Sequence, residues 1–168
     1  MLSIDVFTMA RADAQSTGEV ELRKLPRLRA SLLRDEGKLR YRAQLGMDAH
    51  GRPAMRLHLE ARLALACDRC GGETEYGLNV EREFFFVRTE DELAAQPIDD
   101  APEEALLGSA HFDLGALIED EAILQLPMSP RHEHCPGKED APAPSETYRP
   151  FAELGRLRDG ARRRHRLK

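Results

Sequence analysis

Three successive stretches of the chain alternate apolar and polar residues, and this period of two constrains the fold more than any other feature. The stretches cover residues 38–48, 57–65 and 76–86. Successive side chains of a strand point to opposite faces of a sheet, so such alternation is typical of strands with one buried face. Turn-forming residues separate the stretches, at 50–53 and again at 71–72. We therefore predict an antiparallel β-meander of at least three strands, partly barrel-like.

A sheet with one apolar face needs a cover, and the best candidate is a helix over residues 113–126, where apolar residues fall mostly at helical spacing. Asp113 is a suitable N-cap, and Pro127 would end the helix. Residues 90–109 are acidic and contain Ala and Pro, which indicates an irregular loop. The predicted fold class is α+β, with a meander covered by one main helix, an irregular acidic loop and a basic C-terminal tail.

The two ends of the chain are less regular. Val20, Leu22 and Leu25 are compatible with an edge strand, and residues 28–34 with a short helical turn after Pro26. At 168 residues, one domain with a real core fits, whereas a second complete domain would be cramped. We predict a single domain over residues 1–135. A Pro-containing linker and the basic tail follow, over residues 136–168.

The composition and the number of cysteines indicate the cellular compartment of the protein. No run approaches the roughly 18 to 20 apolar residues of a membrane-spanning helix, and the first ten residues contain no Lys or Arg. Three cysteines, an odd number, make a disulfide framework the poorer interpretation. We expect a cytoplasmic protein that does not contact membranes.

The usual catalytic signatures are absent from the sequence. There is no Gly-rich phosphate loop, no G-x-S-x-G elbow and no H-E-x-x-H pair. Glu119, Asp120 and Glu121 are consecutive, and at about 100 degrees per helical residue they cannot converge on one reacting atom. A solvated helix face is favoured over an acid–base pair. We therefore predict a protein that is not an enzyme and has no small-molecule substrate.

A C-x-x-C pair, Cys67 and Cys70, has the spacing that lets two thiolates face one tetrahedral zinc ion. His132 and Cys135 repeat this spacing and complete the predicted set of ligands, with His134 as an alternative to His132. Reduced cysteines without metal are the simpler alternative. A thioredoxin-like role is disfavoured, because it needs the pair at a helix N-terminus. A zinc- or thiol-dependent sensing and binding module is thus one hypothesis for function.

The last thirteen residues are strongly basic. Their cations are Arg156, Arg158, Arg162, Arg163, Arg164, Arg166 and Lys168. Clustered arginines bind RNA phosphates and often fold as they bind, although a solubilising disordered tail is the alternative. We favour RNA contact. The acidic stretch Glu90–Glu104 would instead suit a basic ribosomal protein, so both kinds of partner remain open.

Two segments taken together resemble the YceD family. The first is Cys67-Asp68-Arg69-Cys70 closing a strand. The second, after an acidic spacer, is a helix of the form D-L-x-x-x-x-E-D-E-x-x-L-x-L-P followed by P-x-H. The helix motif places its residues at Asp113, Leu114, Glu119, Glu121, Leu124 and Pro127. The resemblance covers roughly residues 20–135. It departs at Gly71, where many relatives have Leu, and at Cys135, which stands where some members carry a richer cysteine cluster.

The resemblance implies a role in the synthesis, processing or stability of large-subunit (23S) ribosomal RNA, and hence in ribosome assembly, with no known catalytic activity. It implies a cytoplasmic protein associated with RNA. The expected partner is ribosomal RNA or a ribosomal protein of the large subunit, and zinc is the candidate cofactor. The oligomeric state is left open.

Overall fold

A computed structural model describes residues 2–97 and 103–135. Contacts divide the chain after His132, and all the helices and strands of the described part lie in the first unit. Its strands are β1 (Ser3–Ile4), β2 (Gln15–Glu21), β3 (Lys38–Met47), β4 (Pro53–Ala66), β5 (Glu73–Val87), β6 (Glu103–Leu107) and β7 (Phe112–Asp113). Its helices are α1 (Val6–Arg11), α2 (Pro26–Arg29), α3 (Glu90–Ala94) and α4 (Leu114–Leu124), with a 3₁₀ turn at Leu22–Lys24.

The main sheet has the strand order β2-β3-β4-β5-β6. Its pairs are antiparallel except for β5 and β6, which run parallel. The register places Ala43 opposite Leu57, and Leu59 opposite Val80, so apolar residues of adjacent strands share one face. The α+β class and the meander of β3, β4 and β5 are confirmed. The sheet is open, with β2 and β6 at its edges, and does not close into a barrel.

The core lies on one face of this sheet. Side chains such as Leu57, Leu59 and Phe84 are at most 2% exposed, and Leu114 and Ile118 of α4 belong to the same cluster. Full burial of a side chain of this size contributes about 1.5–3 kcal/mol. Helix α4 does not cover the sheet alone, because α1 packs on β3 and β4. The alternation in the sequence identified the strands but not this second helix.

Helix α4 follows its sequence signals closely. The carboxylate of Asp113 accepts a hydrogen bond from the Ala116 N–H at 3.0 Å, as expected of an N-cap. The helix ends at Leu124, three residues before Pro127. No helix within the described ranges is both long and apolar enough to cross a membrane.

Two segments differ from the predictions. The first edge strand ends at Glu21, so Leu22 and Leu25 are not part of a strand, and the helical turn is α2, which begins at Pro26. The acidic stretch is not entirely irregular, because it contains α3 and the parallel strand β6. Thr89 caps α3 by accepting a hydrogen bond from the Glu92 N–H at 3.2 Å. The linker and tail predicted over residues 136–168 lie outside the described residues.

Candidate metal centre

The C-x-x-C pair lies at the tip of the hairpin formed by β4 and β5. Gly71 adopts φ +73°, in the left-handed region that favours glycine, and its N–H donates to the Cys67 carbonyl at 2.8 Å. The Cys67 N–H donates in turn to the Gly72 carbonyl at 2.8 Å. These two bonds close a tight turn that brings Cys67 and Cys70 to the same side of the tip.

The segment that follows α4 contacts this tip. The Asp68 N–H donates to the Pro130 carbonyl at 2.9 Å. His132 places Nε2 2.7 Å from the carbonyl of Glu73 and Nδ1 3.5 Å from the sulfur of Cys70. A carbonyl only accepts, so in the neutral imidazole Nε2 carries the proton, and the Nδ1 lone pair faces the cysteine. This orientation is the one that a metal ligand with a supporting backbone carbonyl adopts.

The structure brings the four predicted ligands together. The Sγ atoms of Cys67, Cys70 and Cys135 and a ring nitrogen of His132 all lie within 4.8 Å of one another. In a tetrahedral zinc site, bonds of about 2.0–2.3 Å place ligand atoms roughly 3.3–3.8 Å apart, so a small inward movement would complete the site. His134 is exposed and does not belong to the group. None of the three cysteines, all within the described residues, forms a disulfide.

The surroundings of Cys67 favour its thiolate, which is the form that binds a metal ion. Burial by itself raises the pKa of this thiol, but the backbone N–H groups of His132, Cys70 and Arg69 stabilise the thiolate and lower the pKa to about 5. The Glu73 carbonyl, and then the sulfur atoms of Cys67 and Cys70, raise the pKa of His132. The donor set of thiolates and imidazole is the one that zinc prefers in structural sites.

Two of the three consecutive carboxylates of α4 are buried and do not belong to a solvated face. Glu119 and Glu121 are only 5% and 3% exposed. Glu119 accepts hydrogen bonds from the backbone N–H of Arg27 at 2.6 Å and of Leu28 at 3.1 Å. Glu121 accepts one from Nε of Arg82 at 3.0 Å. The prediction of a solvated face was therefore wrong for Glu119 and Glu121, because α4 turns these two carboxylates toward α2 and β5, whereas the Asp120 side chain is half exposed.

The other residues of the helix motif have different environments. Leu114 is fully buried, whereas Leu124 is 67% exposed and Pro127 is partly buried. The predicted RNA-binding residues of the tail, Arg156 to Lys168, lie outside the described residues.

A scan against family models agrees with the family that the sequence resembles, but the match begins later and ends later than the predicted extent of residues 20–135. The model described as "Large ribosomal RNA subunit accumulation protein YceD" matches residues 55–158. The chain belongs to the YceD family. The YceD match includes the β4–β5 hairpin, all four clustered ligands and α4, whereas β2, β3, α1 and α2 precede it. No solved structure matches the chain.

Sequence reasoning missed the groups that support the candidate ligands. The carbonyls of Glu73 and Pro130 hold the His132 segment against the hairpin tip, and the guanidinium groups of Arg27 and Arg82 engage the helix carboxylates. A backbone carbonyl cannot be singled out in a sequence, because every residue has one. Arg82 did carry a signal, since it stands in phase with the apolar residues Leu78, Val80 and Phe84 of the β5 alternation, where a cation is unusual.

Proposed function

We propose that this chain is a non-catalytic cytoplasmic factor that supports the synthesis, processing or stability of large-subunit (23S) ribosomal RNA, and through it ribosome assembly. The observation that carries the proposal is the family match over residues 55–158. The environment of the helix carboxylates supports a non-catalytic role. Glu119 and Glu121 are buried against arginines and backbone donors, an arrangement that suits stabilisation of the fold better than proton transfer to a substrate.

We further propose that Cys67, Cys70, His132 and Cys135 hold one zinc ion. Four protein ligands would complete a tetrahedral shell and leave no open position for substrate or water. A bound ion would neutralise the cysteine thiolates and fasten the segment after α4 to the hairpin tip. This arrangement favours a stabilising metal over the alternative of a sensing module.

The direct contact of the factor is ribosomal RNA or a ribosomal protein of the large subunit. For the RNA contact we expect the basic tail to contribute, and the salt dependence of binding tests this. Neutralising Arg162, Arg163 and Arg164 together should lower the slope of log affinity against log salt for single-stranded RNA by roughly two. An unchanged slope would show that the tail does not contact phosphates.

The role itself is tested by depleting the protein from cells and measuring the ratio of large- to small-subunit ribosomal RNA, with the precursor ends mapped. We expect a selective loss of large-subunit RNA that wild-type protein restores. Unchanged ratios and unchanged precursor ends would contradict the proposed role.

The metal is tested by zinc content after purification without chelators. We expect one zinc ion per chain in the wild type and in His134→Ala, and a large loss of zinc in His132→Ala and Cys67→Ser. His134→Ala is the matched control, because His134 is near in sequence but is not part of the cluster. Zinc content near zero in the wild type would contradict the metal proposal without affecting the proposed role in RNA accumulation.

A further inference from the structure

The three thiols of the metal centre differ in their access to solvent. Cys67 is 1% exposed and Cys135 is 7% exposed, whereas Cys70 is partly exposed at the hairpin tip. Oxidation of cysteine follows thiolate character and exposure, so an exposed thiolate reacts before a buried one. A small oxidant from solvent therefore reaches the sulfur of Cys70 first.

A second thiol lies beside Cys70 in the same turn. The Sγ atoms of Cys67 and Cys70 are no more than 4.8 Å apart, and a disulfide bond is about 2.0 Å long, so a movement of about 3 Å or less joins them. The hydrogen bonds between Cys67 and the two glycines that follow Cys70 close this turn without a metal. The pair therefore stays together when the metal is lost.

Cys135 belongs to a different part of the chain. It lies on the segment after α4, whose contacts with the hairpin tip include the bond from the Asp68 N–H to the Pro130 carbonyl and the bond from the His132 ring to the Glu73 carbonyl. Cys67, by contrast, shares its turn with Cys70 whether or not a metal is bound. Cys67 is thus the expected partner of an oxidised Cys70.

A bond between these two sulfurs would remove half of the zinc ligands. Zinc binds thiolates, and a sulfur atom in a disulfide carries no negative charge. Cys135 and His132 would remain from the cluster, which is two of the four ligands that a structural zinc site uses. Oxidation of the turn and binding of zinc therefore exclude each other.

We propose that the metal centre is also a redox switch, in which hydrogen peroxide converts Cys67 and Cys70 to a disulfide and so releases the zinc ion. The inference rests on the proposed zinc site and not on the proposed role in RNA accumulation. The stabilising effect of the ion is what gives the oxidation its consequence, because the segment after α4 is no longer fastened to the hairpin tip by a metal.

The reaction proceeds in two balanced steps. The Cys70 thiolate attacks one oxygen of hydrogen peroxide, the O–O bond breaks, and a sulfenic acid and a hydroxide ion form. The Cys67 thiolate then attacks the Cys70 sulfur, the S–O bond breaks, and a second hydroxide ion leaves as the disulfide forms. The two sulfurs together lose two electrons, the peroxide gains two, and two protons from solvent convert the hydroxide ions to water.

The effect on the fold is local and reversible. The pairing of β4 with β5 extends to Ala66 and Glu73, directly beside the turn, and it is made by the backbone and not by the metal. A thiol reductant attacks the disulfide and regenerates both thiolates, after which zinc binds again. Oxidation should therefore free the segment around His132 while the sheet stays folded.

The test begins with the full-length protein purified with zinc, whose zinc content is measured. Hydrogen peroxide is then added with a chromophoric chelator that reports released zinc, and a sample without peroxide is the reference. Trypsin cuts after Arg62, Arg69 and Arg82, so the expected disulfide joins peptide 63–69 to peptide 70–82. We expect zinc release and the joined peptides to appear together, and dithiothreitol with added zinc to restore the initial zinc content.

Two variants separate this reaction from other oxidation. Met128 is fully exposed and is itself oxidised by peroxide, and Met128→Leu should release zinc at the wild-type rate. Cys70→His keeps four zinc ligands but lacks the sulfur that reacts first, so peroxide should release its zinc about tenfold more slowly or less readily still. The joined peptides of the wild type decide the proposal even where Cys70→His fails to bind zinc.

Three results would overturn the proposal. Zinc that stays bound while peroxide oxidises Met128 would show that the thiols do not react. A disulfide that joins peptide 132–138 to either of the other two would assign the reaction to Cys135. Absence of zinc before peroxide is added would overturn the metal proposal together with this inference. Each of these results leaves the depletion test of the proposed function unaffected.

Discussion

Replacing Glu119 with alanine should reveal how strongly α4 holds α2. The residue at the N-cap of α2, Leu25, provides no side-chain hydrogen bond, and the carboxylate of Glu119 instead accepts from the N–H groups of Arg27 and Leu28. Loss of a helix cap costs about 1 kcal/mol per satisfied donor. The ion pair to the half-exposed Arg27 adds less than about 1 kcal/mol. We expect the free energy of unfolding to fall by about 2–3 kcal/mol.

Two further variants separate the cap from the charge in this prediction. Glu119→Gln keeps one oxygen for the backbone donors and should cost about 1–2 kcal/mol. Asp120→Ala removes the other carboxylate that pairs with Arg27, and because that side chain is half exposed it should cost less than about 1 kcal/mol. Urea unfolding at pH 7, followed by circular dichroism, measures all three. If Glu119→Ala cost no more than Asp120→Ala, the tertiary cap would be refuted.

Three other predictions concern the hairpin tip and the helices. Chelation of the bound metal should accelerate cleavage by trypsin after Arg131 about tenfold, because the segment around Arg131 can then open while the sheet stays folded. Equal cleavage rates with and without chelator, read from fragment masses, would contradict this. Gly71→Ala should lower the free energy of unfolding by about 1 kcal/mol or more, because alanine is strained at φ +73°. Gly77→Ala is the control, since a Cβ added at this strand position meets no neighbouring atom, and it should not lower the free energy of unfolding in the same urea experiment. Hydrogen bonds from the Thr8 backbone and hydroxyl lower the pKa of Asp5. The stability that this carboxylate provides should therefore be present at pH 5 and be lost as the pH falls from about 4 toward 2. A difference in stability between wild type and Asp5→Ala that did not shrink over that range would argue against the cap.

The parts of the fold that the sequence predicted are those with a strong repeating pattern. The three central strands each alternate over nine or more residues in the sequence, and each was found within a few residues of its predicted bounds. Asp113 and Pro127 likewise marked α4, because a cap and a helix breaker act locally. Such a sequence pattern predicts a strand or a helix reliably when the interactions that produce the pattern are made by residues close together in the chain.

The elements that escaped prediction are short and depend on tertiary contacts. Strand β6 has five residues and pairs in parallel with β5, and α1 has six residues and is capped by Asp5. Neither is long enough for a periodic signal. The burial of Glu119 escaped for the same reason, since its donors lie on α2, about 90 residues earlier in the chain.

The candidate metal centre was predictable in its ligands but not in its support. Repeated C-x-x-C and H-x-x-C spacings were enough to choose four residues, and the structure places their ligand atoms within 4.8 Å of one another. The Glu73 carbonyl orients the His132 ring, and the Pro130 carbonyl accepts from the Asp68 N–H and so holds the preceding residues at the hairpin tip. Any residue provides such a carbonyl, so only the fold could identify them.

Whether a metal-stabilised factor supports large-subunit RNA is decided by the ratio of large- to small-subunit ribosomal RNA in cells whose only copy of this protein carries Cys67→Ser and Cys70→Ser. We expect a lowered ratio, which wild-type protein and His134→Ala both restore. A normal ratio in the double variant, with the protein present at its usual level, would contradict a metal-stabilised factor for large-subunit RNA accumulation.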